Sequence, residues 1–255
     1  MALEIVTIPC LSDNYAYLAH DPATGTTAVV DVPEAGPISA ELTRRGWSLD
    51  LVLLTHHHWD HVDGLSALLA DFPAKVVGAA ADAHRLPPLD IALAERDTIR
   101  IGDEVGHVID VSGHTIGHIA YHFPASNVAF TADSLMALGC GRIFEGDPEM
   151  MYESLMKLAA LPPDTLICSG HEYTQTNAKF ALTIEPGNSD LISRSRAVDA
   201  ARAEGRPTVP SLLSEELATN PFLRSDAPEV RATVGLPDAP AAQVFAEVRR
   251  RKDNF

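Results

Sequence analysis

Two sheets flanked by helices, continued by a helical C-terminal segment, is the α/β architecture, of the mixed α+β kind, that this sequence predicts. Three observations predict it. Strand and helix patterns intermingle without strict alternation, which argues against a doubly wound sheet. Strand signals stop near Tyr173, and every later pattern is helical. The stretch richest in metal-ligand side chains, Thr55-His56-His57-His58-Trp59-Asp60-His61, lies between an apolar run and a helical one, a common place for a site in an α/β sheet.

In chain order, residues 3–8 and 15–19 read as strands around the turn Ser12-Asp13-Asn14, and Thr26 to Val32 is a further, β-branched one that takes in Asp31. Pro37 to Arg45 reads as a helix closed by Gly46. Leu49 to Leu54 is a short apolar run of the buried-strand type, and Asp63 to Ala70 carries apolar residues at helical spacing. Strands follow at Lys75–Gly78, Thr98–Asp103 with its tight turn, and Val105–Val111. Ile119–Phe123 and Val128–Thr131 form a pair joined by a Pro/Ser/Asn turn. Pro148–Leu161 is helical, and Thr165–Cys168 is the final strand. Beyond a boundary near Tyr173, helical patterns cover Thr174–Ile184, Asp190–Glu204 and Ala239–Arg251.

The 255 residues are 46% hydrophobic and 21% charged, enough for a sizeable core in one large domain or one with a smaller appendage. A formal net charge of −16 argues against nucleic acid or an anionic membrane as partner. Cys10, Cys140 and Cys168 have no paired short spacing, which fits a reducing compartment rather than a disulfide framework. No leader-like start and no run of roughly 20 apolar residues is apparent, so the chain reads as soluble and cytoplasmic.

His56 and His58 are two apart, so in an extended segment they point to one side while His57 points to the other. Asp60 and His61 are expected from the turn that follows. A lone histidine is more often structural, and His20, His84 and His107 are read so. Three imidazoles and a carboxylate in six residues after a buried strand instead suit a borderline divalent metal. Further candidates recur at strand ends, each a small residue followed by His or Asp: Gly113-His114, Ala132-Asp133 and Gly170-His171, with His118 four residues after His114. So many donors exceed what one zinc uses and suit two ions sharing a carboxylate. Nitrogen and oxygen donors without thiolate admit zinc, iron or manganese. Spacing alone leaves the partition of ligands between the two ions open.

The pattern His56-x-His58-x-Asp60-His61 with His114, Asp133 and His171 resembles the metallo-β-lactamase superfamily. Closer still, the chain is similar nearly end to end to the glyoxalase II (hydroxyacylglutathione hydrolase) family. The similarity is carried by Leu11-Ser12-Asp13-Asn14-Tyr15, Gly139-Cys140-Gly141-Arg142-Ile143-Phe144-Glu145-Gly146 and Gly170-His171-Glu172-Tyr173-Thr174. It continues through Asn220-Pro221-Phe222-Leu223-Arg224 and Arg249-x-x-Lys252-Asp253-x-Phe255.

This resemblance implies a four-layered αββα sandwich over residues 1–173 and a helical glutathione-binding domain over 174–255. It implies one metal on His56, His58 and His114 and another on Asp60, His61 and His171, with Asp133 bridging. Zinc is the first expectation for both. His57 and His118 receive no ligand role, His118 being read as structural or as supporting a ligand. The resemblance makes Asp60 and Asp133 the catalytic carboxylates, with a metal-bridged hydroxide as the nucleophile. Arg142, Phe144, Tyr173, Arg249 and Lys252 take the glutathione positions. Arg142 stands where a lysine is common and keeps the charge; Phe144 stands where a tyrosine is common and lacks its hydroxyl.

Arg249, Arg250, Arg251 and Lys252 are four consecutive cations in an acidic chain, and Arg249 and Lys252, three apart, share a helical face. The implied activity is hydrolysis of S-D-lactoylglutathione to D-lactate and glutathione, the second step of methylglyoxal detoxification, by a monomer with no nucleic-acid or membrane partner. The alternative is a glutathione persulfide dioxygenase of the same superfamily, which would use one iron and lack the C-terminal domain with Arg249 and Lys252. A β-lactamase leaves the glutathione positions unexplained, the charge disfavours a nuclease, and a non-catalytic metal-binding protein is disfavoured by the complete donor set.

Overall fold

The computed structural model describes residues 2–255. The chain divides into two compact units. One runs to Asp110 and takes in Ile116–Ala132; the other comprises Val111–Thr115 and Asp133–Phe255.

The first unit opens with β1 (Glu4–Cys10) and β2 (Asn14–His20), antiparallel partners in a register that pairs Cys10 with Asn14. Every residue of β2 is buried. β3 (Thr27–Val30), β4 (Leu51–Leu53), β5 (Lys75–Ala79) and β6 (Ile91–Leu93) then run parallel in that order. β3 and β4 are buried throughout, which is why they read as continuous apolar runs rather than alternating ones. Between β3 and β4 lies α1 (Ala35–Arg45). Gly46 caps it in the left-handed conformation (φ 68°), its N–H bonded to the carbonyls of Leu42 and Thr43.

Two short helices follow β4: α2 (Trp59–Val62) and α3 (Leu65–Asp71). Asp60 and His61 therefore sit on the turn expected after the strand, which is a single helical one. Gly64 joins the two helices where a Cβ would lie 2.8 Å from the Ala35 backbone nitrogen, so only glycine allows this close approach. The antiparallel run β7 (Thr98–Ile101), β8 (Glu104–Asp110), β9 (Ile119–Phe123) and β10 (Val128–Ala132) completes this unit.

The second unit contains the hairpin β11 (Leu135–Met136) and β12 (Gly139–Cys140), α4 (Pro148–Ala159) and β13 (Leu166–Ser169). It continues with α5 (Thr174–Ile184), α6 (Ser189–Ala203), β14 (Ser211–Leu212), α7 (Leu213–Thr219), α8 (Pro228–Val234) and α9 (Ala241–Asp253). Asp147 caps α4, its carboxylate accepting the Met150 N–H at 2.8 Å. β14 pairs antiparallel with β13, which corrects the expectation of no strand after residue 173. It is two residues long, too short to show a period.

A chain of aromatic contacts forms the helical core: Phe180 with Phe222 at 6.1 Å, Phe222 with Phe245 at 5.7 Å, and Phe245 with Tyr152 at 5.8 Å. Among the described residues no helix is long and apolar enough to cross a membrane.

Candidate metal centre

In the first unit the ligand candidates stand just past the C-terminal end of β4. The rings of His56 and His58 lie 4.8 Å apart, and those of His56 and His61 4.2 Å apart. His56 and His61 are fully buried. Asp31 lies close beside them, with ligand-type atoms of Asp31, His56 and His61 within 4.8 Å of one another.

The hydrogen bonds settle what Asp31 does. Its Oδ2 accepts from His61 Nδ1 at 2.8 Å and from the Thr55 hydroxyl at 2.8 Å, while Oδ1 accepts the Thr55 N–H at 2.9 Å. The Thr55 hydroxyl, having donated its one proton to Asp31, is left to accept from His56 Nδ1 at 3.0 Å. Both rings thus carry their proton on Nδ1 and keep the Nε2 lone pair for a metal. Asp31 was no ligand candidate in the sequence; its only signal was its place at a strand end.

His57 points elsewhere, Nδ1 bonding the buried Asp82 at 2.8 Å, as expected of the odd residue in an extended run. His118 stacks on His56 with ring centroids 4.6 Å apart. Asn14 donates to the Asp60 carboxylate at 3.1 Å and to its carbonyl at 3.0 Å, which gives the Leu11–Tyr15 stretch a task.

Replacing Asp31 by Asn keeps the shape and removes the charge that holds His61 and, through Thr55, His56. About 10–100-fold weaker metal retention is expected. Dialysis against graded chelator with metal analysis measures it, and retention equal to the parent would refute the role.

In the second unit, Asp133 follows β10 and His171 follows β13. One carboxylate oxygen of Asp133, Oδ2, lies 3.4 Å from His114 Nε2 and 3.2 Å from His171 Nε2. A single oxygen between two imidazole nitrogens is the position a shared carboxylate would take. His114 Nδ1 donates to the Arg142 carbonyl at 2.7 Å, and a carbonyl can only accept, so Nε2 is again the free-lone-pair side of the ring. Gly141 is packed against both residues. A Cβ there would fall 1.9 Å from the Asp133 carbonyl oxygen and 3.0 Å from His114 Nδ1. His171 stacks on Tyr173 at 4.7 Å and 7°.

The substrate candidates fall in this same unit. Phe144 is 60% exposed with its ring edge-on to His114 at 5.3 Å, and Tyr173 is 41% exposed beside His171. The Arg142 guanidinium lies over the Phe144 ring at 5.7 Å.

The four consecutive cations are not equivalent. Arg250 and Arg251 bond Glu247 at 2.7 and 2.9 Å, which holds that carboxyl at about 2. Arg249 is buried and paired with Asp253 at 2.7 Å. Among the described residues Lys252 is the one of the four with no ion pair. Its ammonium lies about equally close to the Phe180 and Phe255 rings, at 5.2 and 5.3 Å. Burial, and next the charge of Arg249, hold its pKa down at about 8.

Residues 13–171 match the family described as "Metallo-beta-lactamase superfamily", and residues 172–255 match "Hydroxyacylglutathione hydrolase C-terminus". A solved structure, the B3 metallo-β-lactamase BLEG-1, superposes with a TM-score of 0.67 at 20% identity, over 86% of this chain and 99% of that one. The class is therefore the metallo-β-lactamase fold, α+β, with a helical C-terminal segment.

Two curated relatives carry the comparison further. A hydroxyacylglutathione hydrolase of Cereibacter sphaeroides (strain ATCC 17025) is 66% identical, and one of Ruegeria pomeroyi 64% identical, each over 100% of both chains. The chain belongs to the hydroxyacylglutathione hydrolase family. Its histidine and aspartate donors, three of the histidines with the tautomer that presents Nε2, suit a dinuclear divalent centre.

Proposed function

We propose that this protein hydrolyses S-D-lactoylglutathione to D-lactate and glutathione. His56, His58 and His114 would hold one divalent ion and Asp60, His61 and His171 the other, with Asp133 shared; zinc is the first expectation. Ions so held supply a water acidic enough to attack near neutral pH and a counter-charge for the oxygen of the thioester carbonyl. The chain's own part is positioning. Asp31 and Thr55 keep the His56 and His61 lone pairs on Nε2, the Arg142 carbonyl does so for His114, and Asn14 steadies Asp60. The leaving thiol, of pKa about 8.5, departs without a strong general acid.

The observation that carries the reading is the pair of exposed rings, Phe144 and Tyr173, packed on the imidazoles of His114 and His171. They form apolar walls beside the very ligands that flank Asp133. Arg142 and Lys252 supply the cations a glutathione carboxylate needs, in a chain of charge −16. The match over residues 172–255 supports the hydrolase over the persulfide dioxygenase alternative. The three cysteines, all buried and none in a disulfide, are consistent with a cytoplasmic setting.

The test is loss of thioester absorbance on metal-loaded and chelator-treated protein, beside a lactoyl thioester lacking the glutathione carboxylates. Metal-dependent turnover of the first, with poor use of the second, is expected. No turnover with metal bound would overturn the substrate. Lys252 adds a pH dependence. With its value lowered to about 8, the ammonium is present below that pH and lost above it, so KM rises as pH passes through 8. In Lys252→Arg, whose charge persists past about pH 12, KM should stay flat; a parent KM equally flat across pH 8 would remove Lys252 from substrate binding.

A further inference from the structure

The ligand run leaves its sheet before it reaches the donors. Leu54 still gives its N–H to the Val77 carbonyl of β5 at 2.8 Å, but Thr55–His58 belong to no strand or helix. Past the ladder, other groups must hold the chain. Asp31 does so through Thr55 and His61. A second buried aspartate, Asp82, reaches the same run through His57.

Asp82 ends the short 3₁₀ turn Ala80–Asp82 that follows β5, the parallel neighbour of β4. The Arg85 and Leu86 N–H groups bond its carbonyl at 2.9 and 3.0 Å, which fixes the turn. The side chain is fully buried, and each carboxylate oxygen has a task. Oδ2 accepts from His57 Nδ1 at 2.8 Å, and Oδ1 accepts from Arg85 Nε. Arg85 carries the hold further, its Nη2 donating to the Ile116 carbonyl at 2.7 Å.

The Ile116–Ile119 stretch leads back to the donors. Gly117 lies in the left-handed region (φ 88°), and a Cβ there would come within 3.0 Å of the Asp82 Cβ, so this stretch packs directly on the aspartate. Ile119 gives its N–H to the Thr55 carbonyl at 3.0 Å, and the His118 ring lies on that of His56, 13° from parallel. Asp82 thus meets the run twice. It does so at His57, between the donors His56 and His58, and through Arg85 at the stretch that backs His56.

We propose that Asp82 is a positioning residue for His56 and His58: it fixes His57 and, through Arg85, the Ile116–His118 stretch, so that the two imidazoles keep the separation one ion needs. This role rests on the metal assignment above, not on the identity of the thioester. Asp82→Asn keeps the shape but gives up one acceptor, so it can serve His57 or Arg85 and not both.

The experiment follows chelator extraction of the full chain loaded with cobalt(II). In Asp82→Asn one of the two cobalt ions is expected to leave about tenfold faster, with a shifted visible ligand-field absorption, while the other keeps its parental rate. For S-D-lactoylglutathione, kcat should fall by about tenfold and KM stay within about threefold. His57→Gln, which leaves the Asp82–Arg85 pair intact, should move spectrum and extraction the same way by a few fold. Unaltered extraction of both ions, or equal acceleration of both, would overturn the proposal. So would a lower melting temperature with parental spectrum and extraction, the mark of a residue that only holds the fold.

If Asp82→Asn does not fold, His57→Gln decides; no change in its spectrum or extraction rejects the proposal. The cobalt stoichiometry of the parent is read first. A single ion would refute the dinuclear assignment, and Asp82 is then judged on the release of that ion. Spectrum and extraction need no substrate, so they stand or fall separately from the thioesterase reading.

Discussion

Asp133→Ala is expected to abolish turnover and to leave the purified protein with a reduced metal content. In the proposed centre this carboxylate is the one group shared by both ions, and its Oδ2 is placed 3.4 and 3.2 Å from the Nε2 atoms of His114 and His171. Losing it removes a negative charge that both cations and both imidazoles face. If the paired ions supply several kcal/mol of charge stabilisation and each 1.36 kcal/mol is tenfold in rate, a fall in kcat of about 1,000-fold or more follows. Steady-state kinetics beside metal analysis measures both halves. Full activity in this variant would refute the shared role, and lost activity with a full metal complement would place Asp133 in chemistry rather than in holding the ions.

Gly141→Ala is expected to be almost as damaging, although it adds a single methyl and removes no donor. The new Cβ would sit 1.9 Å from the Asp133 carbonyl oxygen, a distance no contact tolerates, and 3.0 Å from His114 Nδ1. The nearer neighbour is backbone and the other is the His114 ring, so relief requires the segment or the ligand to move by an ångström or so. Misplacement on that scale costs about 100-fold in rate, and overpacking of a tight site adds about 1–3 kcal/mol of lost stability. Thermal melts of the metal-free protein isolate the second effect, and chelator competition isolates the first. A variant with parental melting temperature and parental metal retention would mean that the loop yields freely.

The seven donor candidates were named from the sequence because side-chain type is itself the signal: His and Asp clustered after one apolar run, and a small residue then His or Asp after three others. His57 was legible as a non-ligand from strand alternation alone, and it does bond Asp82 instead. The groups that hold the donors were not legible. Asp31 is 30 residues from His61, and the partner of His114 is a backbone carbonyl 28 residues away. A carbonyl carries no residue identity to read. The short hairpin of β11 and β12 and the two-residue β14 escaped notice for a related reason. Strands that short have no period, and long-range hydrogen bonds create them.

The C-terminal cations show the same division. Their sequence established a strongly basic end on an acidic chain, and with the metal donors and the long shared stretches it determined the fold class and the family. Tertiary structure alone decided which cation does what. Arg250 and Arg251 are spent on Glu247, Arg249 lies buried against the Cys140 carbonyl, and Lys252, which has no ion pair among the described residues, donates to the Thr176 carbonyl at 3.5 Å. The physical reason is that ligand chemistry belongs to a side chain, whereas burial, tautomer and hydrogen-bond partner belong to the neighbours that folding brings to it.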